Sequence, residues 1–230
     1  MEMFFNWKFY LITQPRMNSR FRSNAYKLSL IIKYSNDLRY HHKMKFLNKG
    51  AVMGALDYQE FYTVEDYKNW AGEWELIFGK AYSMSPSPMV THQFVSSNII
   101  HELKNKVQEC KNCLVLNEID YQISDETILK PDVLLICKEI DEKVNKTPEI
   151  IFEVLSPSTA RRDETIKFEI YQKEGVLYYI LVNTQERVAK VYKLLEDGRF
   201  VKQGDFENES FTFKVNECAI EFDFSTIWRR

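Results

Sequence analysis

No stretch of the 230-residue chain approaches the ~18 consecutive apolar residues of a membrane-spanning helix, so an integral membrane protein is not expected. No repeat with a period of about 20–50 residues is present, which argues against solenoids and propellers. Glycine and proline are scarce, at 7 and 6 residues, too few for a collagen-like or Pro/Gly-rich low-complexity chain. With only 4 cysteines in a chain of this length, a small disulfide-dense secreted scaffold is not expected either. Hydrophobic residues do make up 45% of the chain. That is enough for a real core, so wholesale disorder is excluded. The length suits one domain of ordinary size plus an extension, or two small domains.

The net charge of -2 conceals an asymmetry. Residues 1–54 carry ten Lys or Arg and two Asp or Glu, leaving 21 basic and 31 acidic residues for 55–230. Such a shift marks a boundary near residue 54. The basic segment lacks sustained periodicity, and Glu2 and Lys8 spoil it as a secretory signal. It reads as a disordered extension, or as residues upstream of a start at Met53. A transit peptide fits less well, because alanines are few and aromatics many. The acidic remainder is the expected globular domain. It does not suit nonspecific coating of DNA, which relies on neutralising phosphates. A cytoplasmic location is expected.

Cys110 and Cys113 have the C-x2-C spacing of half a zinc site. No second C-x2-C or H-x3-H pair accompanies them, so two ordinary thiols near a helix end are expected.

Thr63-Val64-Glu65-Asp66 reads as an N-cap followed by first-turn acids, starting a helix to about Trp70. Glu75 to Met84 reads as a strand pair hinged at Gly79, and Ser85-Pro86-Ser87-Pro88 breaks the chain. In 91–109, Phe94, Val95, Ile99, Leu103 and Val107 form one apolar helical stripe. Leu114 to Ile123 reads as a strand. Val133–Cys137 and Ile150–Leu155 are continuous apolar runs, the pattern of strands covered on both faces. A helix then runs from Ser156–Thr159 to Glu174, stopped by Gly175. Leu177–Val182 is another strand, and a hairpin turns at Asp197-Gly198. This order predicts an α/β (α+β) domain with a mixed sheet flanked by helices.

Within that frame, Glu153 interrupts an apolar strand, and a lone buried carboxylate is costly unless paired or metal-bound. Asp132 opens the preceding strand. Neighbouring strands lie about 4.8 Å apart, so carboxylates on adjacent strands and one face can grip a small cation. Magnesium needs only one or two carboxylates. In the following helix, Asp163, Ile166, Lys167, Ile170 and Tyr171 share a face by spacing. The apolar members turn that face toward the sheet and carry Asp163 and Lys167 inward. Two carboxylates with one ammonium suit metal-assisted phosphodiester hydrolysis: the metal polarises phosphate and acidifies water, and the lysine orients water or offsets charge.

Pro131-Asp132, Glu153-Val154-Leu155 and Lys167 together resemble the PD-(D/E)XK nuclease core. More closely, the chain resembles the bacterial Uma-type "putative restriction endonuclease" family. The matching text is Glu75-Leu76-Ile77, Met84-Ser85-Pro86, His92, Lys130-Pro131-Asp132, Glu153 to Thr159, Asp163, Lys167, Tyr171, Gly175-Val176 and Tyr179. The resemblance spans about residues 60–195 and implies a restriction-endonuclease-like core with added strands. It implies a metal-dependent endonuclease with catalytic Asp132, Glu153 and Lys167, the two acids binding magnesium or manganese. Glu75, His92, Asp163 and Tyr171 would support the site. The lysine has migrated to the helix; its standard position holds Leu155. The family's Asp-Gly-Glu after the first strand is replaced here by Phe78-Gly79-Lys80.

Arg161 and Arg162, at the start of the Lys167 helix, are candidate phosphate contacts. The expected partner is nucleic acid, DNA in the first place, with no membrane. A homodimer is compatible, since one such site cuts one strand. The competing reading is a noncatalytic module of the same fold that binds nucleic acid or a protein. A third reading makes Glu153–Lys167 a buried structural ion pair.

Overall fold

The computed structural model describes residues 60–84 and 89–229. The basic N-terminal segment, Met53 and the Ser85–Pro88 breaker lie outside the described residues. In chain order the elements are α1 (Val64–Tyr67), β1 (Trp74–Ile77), β2 (Lys80–Ser83), α2 (Val90–Lys106), β3 (Leu114–Asn117), β4 (Tyr121–Ser124), β5 (Thr127–Leu129), β6 (Val133–Ile136) and β7 (Ile150–Val154). Then come α3 (Ala160–Arg162), a π-helical turn (Asp163–Lys167), α4 (Phe168–Glu174), β8 (Tyr178–Asn183), β9 (Val188–Leu194), β10 (Phe200–Phe206), β11 (Ser210–Val215), β12 (Cys218–Asp223) and a 3-10 turn (Phe224–Trp228). The mixed α+β class expected from the sequence is what the described residues form.

The apolar runs Val133–Ile136 and Ile150–Val154 become β6 and β7, with every residue buried. They lie inside a six-stranded sheet of order β10-β9-β8-β7-β6-β3. Only the β7–β8 pairing is parallel; β6 and β7 are antiparallel, with Val133 opposite Phe152. A parallel pair needs a crossover, and α3, the π turn and α4 supply it. Gly175 closes that crossover at φ +81°, the left-handed conformation that ends a helix.

Alternation sends neighbouring side chains to opposite faces of the sheet. Leu135, Ile150 and Phe152 join α2 and the β11–β12 hairpin in one core. Leu134, Ile136 and Ile151 face Ile170 and Tyr171 of α4 in a second. A smaller sheet of order β2-β1-β5-β4 adds Ile77, Tyr121 and Leu129 to this second core.

Several expectations are corrected. The first helix is a single turn ending at Tyr67 rather than Trp70, although its Thr63–Asp66 capping box forms. Leu114–Ile123 is two strands, not one, because Glu118 adopts φ +47° and turns the chain. Ile166 is exposed instead of sharing the buried face. The π turn puts more residues in each turn than an α-helix does, keeping Asp163 and Lys167 inward and rotating Ile166 out. The cysteines are not free thiols: Cys110 pairs with Cys218, and Cys113 with Cys137. The Cys113–Cys137 pair continues the β3–β6 register, where Leu114 faces Ile136. No helix among the described residues is long and apolar enough to cross a membrane.

Candidate active site

Asp132 sits one residue before β6, and continuing the antiparallel register brings it opposite Glu153 of β7. Both carboxylates fall on the face that also carries Leu134, Ile136 and Ile151. Asp132 Oδ2 accepts a hydrogen bond from the Val154 amide at 2.6 Å, which locks the side chain against β7. His92 Nε2, from the first turn of α2, lies 3.2 Å from the same oxygen. Burial alone would lower the His92 pKa, but the Asp132 carboxylate overrides it and the net shift is upward.

Glu153 is 2% exposed. Its Oε1 accepts from Lys167 Nζ at 3.0 Å and from the Tyr171 hydroxyl at 2.9 Å. Lys167 Nζ also lies 2.7 Å from Glu75 Oε1 and 3.2 Å from Asp163 Oδ1. The helix-borne ammonium is thus held by three carboxylates from three elements. Burial opposes its charge, but Glu153, Glu75 and Asp163 together drive its pKa well above the usual lysine value.

The carboxylates separate by environment. Glu75 feels the desolvation of its buried position, yet Lys167, the Lys130 amide and Arg162 hold its pKa below the ordinary value. Arg162 Nη1 bonds Glu75 Oε2 at 2.9 Å, and the Lys130 amide bonds Glu75 Oε1 at 3.2 Å. Glu153 moves the other way: burial dominates, and although Lys167 favours its charge, Asp163, Asp132 and Glu75 oppose it, so its pKa rises well above normal. Burial likewise raises Asp163. Tyr171 is also raised well above normal, by burial and then by Glu153 and Glu75.

The sequence-derived candidates form two contact groups, His92 with Asp132, and Glu75, Glu153 and Asp163 around Lys167 with Tyr171 on Glu153, which the β6–β7 register and the Val154 amide set side by side. All but Tyr171 line one cavity of about 400 Å³, completed by the Ser156–Thr159 loop. The two arginines part company. Arg162 is committed to Glu75 and lies 4.6 Å over the Tyr82 ring, so it braces the site from behind. Arg161 is exposed and remains the one turned to solvent.

Three charged cavity residues were not singled out as site residues from the sequence: Glu73, Glu118 and Lys130. Lys130 had a signal, since it precedes Pro131-Asp132; its ammonium pairs with Glu73 and, at 3.4 Å, with Asp120. Glu118 had none, because only the turn after β3 brings it to the cavity.

Of the two carboxylates that the β6–β7 register sets side by side, the oxygens not engaged in the bonds above are Asp132 Oδ1 and Glu153 Oε2. Among the described residues, no group of three or more His, Cys, Asp and Glu is arranged to hold a metal ion. Two hard oxygens facing a polar cavity nevertheless fit a small, largely hydrated divalent cation, which asks for no more than that.

No curated protein matches the chain. Among solved structures, a putative nuclease belonging to DUF820 from Anabaena variabilis superposes with a TM-score of 0.59 at 17% identity, covering 72% of this chain and 97% of that one. At that identity the likeness shows the fold, a nuclease-like one. The family model Uma2, described as "Putative restriction endonuclease", matches residues 58–216. That stretch holds every site residue named above, and the chain belongs to the Uma2 family, whose description supports nuclease chemistry in general.

Proposed function

We propose that the chain is a metal-dependent endonuclease that hydrolyses phosphodiester bonds, in DNA in the first place. The observation that carries this reading is that Asp132 and the Glu153–Lys167 pair line one polar cavity. Magnesium, or manganese in its place, would be held by Asp132 and Glu153. When bound, the cation supplies polarisation of the phosphate and a more acidic water.

The chain's own groups do the rest. Val154 and His92 aim the Asp132 carboxylate. Tyr171 and Lys167 aim Glu153. Lys167, kept fully protonated by its three acids, offsets negative charge as it grows on the phosphate, in a site where water is scarce. His92, half-buried at the cavity mouth, is placed to hold or release a proton near the leaving oxygen. Arg161 is free to meet a flanking phosphate.

Incubation of supercoiled plasmid with the wild type and with Glu153→Ala, with and without magnesium or manganese, tests this. Metal-dependent nicking that is lost in the variant is expected. Equal cleavage by both proteins would sink the assignment.

One observation favours a second reading, a noncatalytic module that binds nucleic acid or a protein. The Lys167 ammonium already has three carboxylate partners, and Phe78-Gly79-Lys80 lacks the family's acids. Wild-type protein that neither cleaves nor binds magnesium or manganese would decide for the module.

A further inference from the structure

A second cavity, of about 560 Å³, adjoins the first, and Glu118 and Lys130 line both. Tyr67, Trp70 and Trp74 give it one aromatic side, with Tyr62 packed against Trp70. Trp70 lies 5.1 Å from Tyr62, 5.4 Å from Tyr67 and 5.5 Å from Trp74, measured between ring centres. These rings are fastened before any ligand arrives. The Tyr67 hydroxyl shares its one proton between Asp120 Oδ1 at 2.9 Å and the Trp74 carbonyl at 3.1 Å. Trp74 Nε1 donates to the Ala71 carbonyl at 2.8 Å. Gly72 makes the intervening turn at φ +88°, a conformation that L side chains rarely adopt. Trp70 and Trp74 keep part of their surface exposed.

We infer that this groove is a stacking subsite for an unpaired nucleobase of a polynucleotide strand whose backbone continues into the Asp132–Glu153 cavity. The inference rests on the nuclease reading for what the neighbouring cavity does, but not for what the groove binds. Three features point to a base rather than to an apolar peptide. Every nucleobase has a flat π face, and aromatic side chains stack such faces with little regard to sequence. The groove edge carries acceptors and donors, Asp120, Glu118 and Gln122, which suit the polar rim of a base. Lys68 and Lys143 are exposed on its rim, where phosphates of the same strand would run, while the acids inside disfavour phosphate there.

The spacing is also suitable. Lys130 separates the two cavities and stands two residues from Asp132, at most about 7 Å of extended chain. That is roughly the length of two stacked nucleotides. The Lys130 amide bonds Glu75, so the groove and the site share a rigid strut. A base inside a duplex cannot reach a platform of this kind. The substrate class is therefore single-stranded or locally unpaired nucleic acid.

The test is binding of the full chain, in EDTA, to a 5′-labelled thymidine 12-mer, to the same backbone without bases, and to a 12-base-pair duplex. The thymidine strand is expected to quench tryptophan emission and to bind at least about 10-fold more tightly than either control. Trp70→Leu and Trp74→Leu are each expected to weaken it about 10-fold or more, the scale of one base-stacking contact. Because either variant could unfold, wild-type protein is also irradiated with a 5-iodouracil strand. Adducts are expected on the peptide containing Tyr67, Trp70 and Trp74. Equal binding of the baseless strand, undiminished binding by folded tryptophan variants, or adducts only elsewhere would each overturn the subsite. The two readings fail separately. Base-dependent binding without any cleavage keeps the groove and removes the nuclease. Metal-dependent cleavage with undiminished binding in both tryptophan variants does the reverse.

Discussion

Strand β7 has two faces with opposite characters. Phe152 and its neighbours Ile150 and Val154 enter a predominantly apolar core of α2, Phe213 and Phe222 bordered by both disulfides. One residue further, Glu153 enters a cluster of four buried acids, Lys167 and Tyr171. The two faces are about equally shielded from water: Phe152 is 0% and Glu153 2% exposed. Burial therefore does not decide what a position is for. On the first face burial stabilises the fold directly. On the second it pushes the carboxylates toward their neutral forms and opposes the charge of Lys167, so every charge there depends on its neighbours.

The comparison is most sharply tested at Lys167. Lys167→Ala is expected to lower plasmid cleavage by about 10²-fold or more. It also leaves buried carboxylates without their counter-ion, so denaturant unfolding should show a loss of about 3–5 kcal/mol. Phe152→Ala, on the apolar face, is expected to lose a similar ~3–5 kcal/mol. It should leave metal-dependent cleavage by the remaining folded protein near the wild-type rate. A large, selective loss of cleavage in Phe152→Ala would break the division between faces.

The disulfides come next. Cys218→Ser opens a link that spans 108 residues of chain. It is expected to cost about 2–4 kcal/mol, read as a lower denaturant midpoint, with cleavage retained. Reduction of the wild type should approach the same midpoint or fall below it, since it also opens Cys113–Cys137.

A smaller effect is expected on the polar face itself. The folded Glu75 pKa lies below its ordinary 4.5. Its contribution to stability is thus present above that value and is lost as pH falls through the folded pKa. Glu75→Gln should therefore be less stable than the wild type near pH 7, and the gap should close on acidification. A gap that stays constant with pH would mean that packing, not charge, sets Glu75's contribution. The smallest expected change lies outside both cores. Phe78 stands exposed in the β1–β2 turn at φ +50°. Phe78→Gly should relieve that backbone and gain about 1 kcal/mol in thermal unfolding.

Legibility in the sequence followed the same division. Val133–Ile136 and Ile150–Val154 could be read as strands because both faces are apolar, and Glu153 stood out against that background. Lys167 was legible as an inward residue from helical spacing, although the π turn moved Ile166 out of the stripe. Glu75 was different. Its own strand shows no anomaly, and only the resemblance marked it, because its partners Lys167 and Arg162 lie far along the chain. The three-residue strand β5 is too short for any periodicity to show. In β11 and β12, polar Thr212, Lys214 and Glu221 alternate with buried Phe213, Val215, Ile220 and Phe222, the period-two pattern of strands with one covered face. The cysteine pairs depend on chain separations of 108 and 24 residues, which spacing rules for local motifs do not reach.

The parallel β7–β8 pairing has a consequence for how the protein comes into being. Glu75, Asp132 and Glu153 are synthesised before Lys167, and the helix that carries Lys167 is anchored only when β8 has docked beside β7. Non-local parallel pairing is slow, because the loop must close before its contacts form. The buried acids and their cation are therefore brought together only by a chain that extends through at least Asn183.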